Sequence, residues 1–205
     1  FGLFYNNYTW NILVIFFLLL CLYEFYKIIN KIYRNKILKI ILILFIFFYL
    51  YFFYILLINI RLKFGEETIL ILIIACIFSD LGGYFVGKLI GGPKLTKISP
   101  NKTISGAFGS ILFTVLGTYF YLFFLNKFGS EPISLKFSIK NFIWLILMSV
   151  YCQLGDLIIS YLKRKAKIKD TGKILPGHGG ILDRVDGILF ALPFGVLTHF
   201  VLALI

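Results

Sequence analysis

Six predominantly apolar runs, each close to the length that crosses a bilayer, constrain this chain more than any motif it carries. They lie at approximately Trp10 to Ile29, Ile37 to Ile60, Thr68 to Ile90, Ile104 to Leu125, Phe142 to Leu162 and Gly187 to Ile205. A helix needs roughly 20 apolar residues to cross a hydrocarbon core of about 30 Å. The runs are continuous rather than alternating, which disfavours a barrel and favours helices, whose backbone groups pair within each segment. A chain that is 60% hydrophobic, with 24 Phe, 13 Tyr and only 15% charged residues, is no ordinary soluble domain. The expected fold is an all-α, polytopic membrane bundle, with residues 1–205 forming one domain.

The chain opens at Phe1 without Met or a charged leader, and its first apolar run is too long for a signal core. A missing amino-terminal helix is therefore expected. Cys21, Cys76 and Cys152 all fall in predicted spans without metal-type spacing, so packing is their simplest role. Sixteen Lys or Arg fall in the first, third and fifth connections, against five in the others. Because basic residues mark cytoplasmic loops, the odd-numbered connections are expected to face the cytoplasm. The net charge of +12 suits a protein that meets anionic headgroups and phosphorylated substrates.

Polar chemistry is concentrated between Ser160 and Asp186, where seven Lys or Arg, three Asp, four Gly and His178 separate two apolar runs. Carboxylates at membrane depth cost about 2.5–3.5 kcal/mol at a helix centre and are usually retained for a task. Asp156 is followed by Ser160, Lys163 and Lys167 at helical offsets, which predicts one face carrying all four. Asp183 and Asp186 are three residues apart at the entrance to the last run, directly after PGHGG. Hard oxygens of this kind suit Mg²⁺, which takes one or two carboxylates and completes its shell with water and phosphate oxygens. Gly177, Gly179 and Gly180 let backbone approach an anion, and His178 can donate to one. An earlier loop, ISPNKTISG, places Lys102, Thr103 and Ser105 before a helix start, a favourable phosphate position. Ser, Thr and Asn also cap helices for purely structural reasons. Asp80 lies late in the third run beside Gly82, Gly83 and Gly87, and those glycines are explained equally well by close helix packing.

These residues together resemble the phosphatidate cytidylyltransferases, the CDP-diacylglycerol synthase family of membrane enzymes. Its signature is met by Ser160, Lys163, Arg164, Lys169, Asp170, Gly172, Leu175, Pro176, His178, Gly179, Gly180, Asp183, Arg184 and Asp186. A second family feature is present as Asp80, Tyr84, Gly87 and the stretch from Ser99 to Thr103. LCLYEFYK, from Leu20, is similar to the family's early Glu-bearing helix. The chain departs from the usual pattern at Ser105 and Ile159, where the family often has Glu.

The resemblance implies CMP transfer from CTP to phosphatidate, with Mg²⁺ as cofactor and K⁺ as a possible second ion. Asp156 and Asp183 are the implied metal ligands. Lys163, Arg164, His178 and Arg184 join them as implied catalytic residues. Asp80, Ser99, Lys102, Thr103, Ser160, Lys169, Asp170, Gly179, Gly180 and Asp186 are the implied substrate-binding set. A homodimer in a bacterial inner membrane, its site open to the cytoplasm and without a nucleic-acid partner, is also implied. A CTP-dependent transferase acting on another phosphorylated lipid is the alternative. An ion-coupled transporter is a more distant one, since transport would put polar groups near mid-membrane rather than at one interface.

Overall fold

A computed structural model describes residues 6–128, 138–174 and 179–204. Among the described residues lie six long helices: α1 (Asn7–Ile32), α2 (Lys36–Phe64), α3 (Glu66–Ile90), α4 (Ile104–Phe128), α5 (Ile139–Lys165) and α6 (Leu182–Leu204). All six are long and apolar enough to cross a membrane. Even α6, with 23 residues, rises about 35 Å at 1.5 Å per residue. Among the described residues there is no strand, and an isolated bridge joins Lys94 to Thr103. The all-α membrane fold expected from the apolar runs is the observed one.

The chain forms two compact units, Phe1–Ile69 with Ile158–Asp186, and Leu70–Leu157 with Gly187–Ile205. In the first unit α1 and α2 pack on one another. Asn6 caps α1 by accepting from the Thr9 N–H at 2.8 Å, and Asn35 caps α2 by accepting from Ile37 at 2.9 Å. Buried residues recur along α1 at Leu18, Cys21, Phe25, Ile28 and Ile29, and along α2 at Leu50, Phe53, Leu57 and Ile60. This is the spacing of one helical face. Gly65, at φ 82°, ends α2, a backbone conformation that costs glycine little. Across that break the buried Arg61 pairs with Glu66 and lies 5.1 Å over the Trp10 ring.

The second unit is joined by small residues. A methyl group added at Gly82 would collide with the Gly109 carbonyl and Phe113 side chain of α4, and one added at Gly109 would collide with Val86 of α3. α3 and α4 therefore approach to backbone contact, the packing available where no hydrophobic effect drives helices together. Polar side chains add specificity. The buried hydroxyls of Ser79 on α3 and Ser149 on α5 lie 3.0 Å apart, and the Trp144 indole of α5 donates to the Gly195 carbonyl of α6 at 2.7 Å.

Most helices run a few residues beyond the expected spans, and two differences bear on the signature segment. α6 begins at Leu182 rather than Gly187, so Asp183 and Asp186 belong to its first turns. Hydropathy marks where side chains turn apolar, whereas this helix starts where its free N–H groups find acceptors. α5 ends at Lys165, so Lys167 does not continue the helical face expected to carry it. The Lys167 and Ile168 N–H groups turn back to the Arg164 and Lys163 carbonyls, both at 3.0 Å, and Lys167 takes φ 55°. That is a Schellman ending with lysine where glycine is usual.

Gly109→Leu is expected to lower stability by about 1–3 kcal/mol through overpacking. The exposed Leu116→Ala should stay within about 0.5 kcal/mol. Thermal unfolding in detergent reads both.

Candidate active site

In the first unit the signature segment folds around two carboxylates. Asp183, in the first turn of α6, takes the Lys163 ammonium on Oδ1 at 2.7 Å. Its Oδ2 accepts the Thr171 N–H at 2.8 Å and the Gly180 N–H at 3.0 Å. Lys163 is in the last turn of α5, and the Schellman ending reverses the chain directly after it, so residues 169–174 can return toward α6. Gly179 adopts φ 85°, and a methyl group there would lie 3.1 Å from Asp183 Oδ2.

The second carboxylate is Glu24 of α1, completely buried. Oε1 accepts the Ile181 N–H at 3.0 Å; Oε2 accepts the Leu182 N–H at 2.9 Å and the Thr171 hydroxyl at 2.6 Å. Added methyl groups at Gly172 and Gly180 would both run into the Glu24 carboxylate, which explains glycine at these two signature positions. The Thr171 hydroxyl also lies 3.0 Å from Asp183 Oδ2. A hydroxyl carries one proton, so the shorter contact to Glu24 takes it and the backbone N–H groups serve Asp183. Neither Glu24 nor Thr171 is among the site residues expected from sequence. The signal for Glu24 was an acidic residue in the first apolar run, where charge is costly; nothing in the sequence marked Thr171.

The remaining signature residues divide by exposure. Arg164, Lys169, Asp170 and Arg184 are exposed, Ser160 is buried, and Asp186 is half-buried one turn beyond Asp183. Leu175, Pro176, Gly177 and His178 lie outside the described residues, and with them the proposed histidine donor.

In the second unit Lys102 forms an ion pair with Asp156. Their charges both reach Asp80, whose Oδ1 lies 3.8 Å from the Cys152 thiol. The loop before α4 folds back on itself to present Lys102. The Leu95 N–H donates to the Lys102 carbonyl at 2.9 Å, the Ile104 N–H to the Pro93 carbonyl at 3.0 Å, and the Lys102 N–H to the Ser99 carbonyl at 3.1 Å. Thr103 is buried and caps α4, accepting from the Gly106 N–H at 3.1 Å. Ser105 bonds Thr103 and the Gly91 carbonyl. The capping reading of Thr103 is thus realised, and Lys102 is the residue of this loop that meets an acid.

Among the described residues no three His, Cys, Asp or Glu side chains converge as a preformed metal cage. The donor chemistry nevertheless fits Mg²⁺, which needs only one or two carboxylates before water and phosphate complete its shell. Asp183 and Asp156 each present hard oxygens, and in each an ammonium group now neutralises the charge.

Cations beside a backbone-held carboxylate are chemistry suited to phosphates and a divalent ion. Residues 1–202 match the Cytidylyltransferase family. The chain belongs to this family. A Helicobacter pylori (strain J99) protein named phosphatidate cytidylyltransferase is 44% identical over 146 residues, 70% of this chain and 52% of that protein. A Bacillus subtilis protein of the same name is 48% identical over 132 residues, 62% of this chain and 44% of that protein. The Brucella suis protein of that name is 40% identical over 129 residues, covering 62% and 45%. The chain therefore spans about half the length of the curated relatives it matches. Membership places the signature residues of the first unit and the Lys102 loop of the second within one matched stretch.

Thr103→Val, which removes the α4 cap and keeps the shape, is expected to cost about 1 kcal/mol of stability. Thermal unfolding of the purified variant in detergent checks this, and Ser at the same position should restore it.

Proposed function

We propose that this chain carries the catalytic part of a phosphatidate cytidylyltransferase, which transfers CMP from CTP to phosphatidate and releases pyrophosphate and CDP-diacylglycerol. The observation that supports it most is Asp183, a carboxylate held by two backbone N–H groups and Lys163 within the signature segment. The names of the relatives point the same way.

In this reaction a phosphate oxygen of the lipid attacks the α-phosphorus of CTP, and the bond to the β-phosphate breaks. The attacking group is already an anion, so the protein supplies no nucleophile. Its work is to bring two polyanions together and neutralise charge that develops on the leaving pyrophosphate. Asp183 and Asp156, each in its own unit, would offer oxygen ligands to Mg²⁺, with K⁺ as a candidate second ion. Bound there, the metal supplies charge neutralisation at phosphate oxygens. Lys163 and Lys102, now paired with these acids, are suited to turn toward phosphates. Arg164, Lys169 and Arg184 are exposed cations with the same chemistry. Asp80, Ser99, Ser160, Asp170, Gly179, Gly180 and Asp186 complete the proposed substrate-binding set.

The proposal extends to place and assembly. The three most basic connections would face the cytoplasm of a bacterial plasma membrane, where CTP is available, and the enzyme would act as a homodimer. The six apolar helices and the bacterial relatives support an integral membrane location.

The test uses a chimera in which this chain replaces the matching stretch of a full-length relative, assayed in membranes with labelled CTP, phosphatidate and Mg²⁺. A lipid-soluble CDP product is expected. Asp183→Asn should reduce its rate by about 100-fold or more while membrane insertion is kept; wild-type turnover in this variant would falsify the ligand assignment. Lys102→Ala should raise the half-saturating concentration of CTP or phosphatidate about tenfold, the loss of one charge-assisted contact. Unchanged kinetics for both substrates would remove Lys102 from the site. If phosphatidate gives no product but another phosphorylated lipid does, the acceptor assignment is wrong and the transferase reading stands.

A further inference from the structure

We infer that Glu24 is a positioning residue for Asp183, acting from α1 through Thr171 and the start of α6. The inference rests on the proposed role of Asp183 in cytidylyl transfer. Glu24 is completely buried, and its oxygens bind Thr171, Ile181 and Leu182. Those three residues adjoin or include the groups that orient Asp183. Thr171 supplies one of the two backbone N–H groups on Oδ2. Ile181 follows Gly180, which supplies the other. Leu182 directly precedes Asp183 itself. One carboxylate therefore fixes both backbone segments that grip the other, across 147 to 158 residues of chain.

The chemistry demands acceptors at both Glu24 oxygens. A glutamine has one carbonyl oxygen and one NH₂ group, so in either orientation it turns a donor toward a donor. With the NH₂ at the Oε1 position it opposes the Ile181 N–H, and at the Oε2 position it opposes the Leu182 N–H. An isosteric change thus leaves at least one buried N–H unsatisfied, which costs about 1–3 kcal/mol and loosens the loop where Asp183 is held. A simple helix cap would lower stability alone. A positioning residue also alters what Asp183 does.

The experiment places Glu24→Gln, Thr171→Ser and Thr171→Val in the same chimera. Turnover is followed against Mg²⁺ and phosphatidate, and tryptic cleavage after Lys173 is timed in detergent. Glu24→Gln is expected to raise half-saturating Mg²⁺ and lower kcat, each by about 10- to 100-fold, as for partners that orient metal ligands. The phosphatidate KM should move far less, and cleavage after Lys173 should accelerate. Thr171→Ser should follow wild type, while Thr171→Val should shift in the direction of Glu24→Gln. Wild-type Mg²⁺ dependence and cleavage in Glu24→Gln overturn the inference. So does activity that falls only in proportion to folded protein, with the Mg²⁺ requirement unchanged. A parent chimera that inserts and folds but turns nothing over defeats the functional reading alone. The cleavage rates then decide for Glu24, accelerated loop cutting upholding the clamp and unchanged cutting rejecting it.

Discussion

The geometry of the signature segment depends on a buried carboxylate meeting backbone donors. A helix start exposes N–H groups that nothing within the helix can satisfy, and inside apolar surroundings water is not there to do it. Glu24 meets two such N–H groups and the Thr171 hydroxyl, and so fixes where α6 begins. From that one constraint follow the glycines at positions 172 and 180, since any larger residue would occupy the carboxylate's space. The orientation of Asp183 follows as well, because its own donors belong to the segment Glu24 has tied down.

The second unit reaches its form by different means. In lipid, apolar side chains gain little by leaving one apolar neighbour for another, so close contact and a few hydrogen bonds must distinguish the native arrangement. Gly82 and Gly109 provide the first, and Ser79, Ser149 and Trp144 the second. This packing carries the Lys102 loop on α4, where Thr103 serves as the cap and Lys102 reaches its acid.

How much of this the sequence revealed depends on the range of the interaction that decides each feature. The spans were readable because hydropathy is summed over neighbours, and the long runs from Trp10, Ile37 and Ile104 became α1, α2 and α4. Hydropathy sets the start of α6 five residues late because its determinant, Glu24, lies far away in the chain. Lys167 looked like another residue of the α5 face because no local rule foretells a lysine in the left-handed region. Thr103 was readable only as an ambiguity, since hydroxyls that cap helices and hydroxyls that bind phosphate have the same sequence appearance. The pattern from Ser160 to Asp186 drew attention to the segment. It did not disclose the partner that holds the segment in shape.

The two lysine–carboxylate pairs have a consequence for biogenesis. Lys163 neutralises Asp183 and Lys102 neutralises Asp156, each within its own unit. An isolated ion in an apolar setting carries a heavy desolvation cost, and a pair carries much less. Each acid can thus be inserted and folded already accompanied by its counter-ion. Neither acid depends on a bound ion for a neutralising partner.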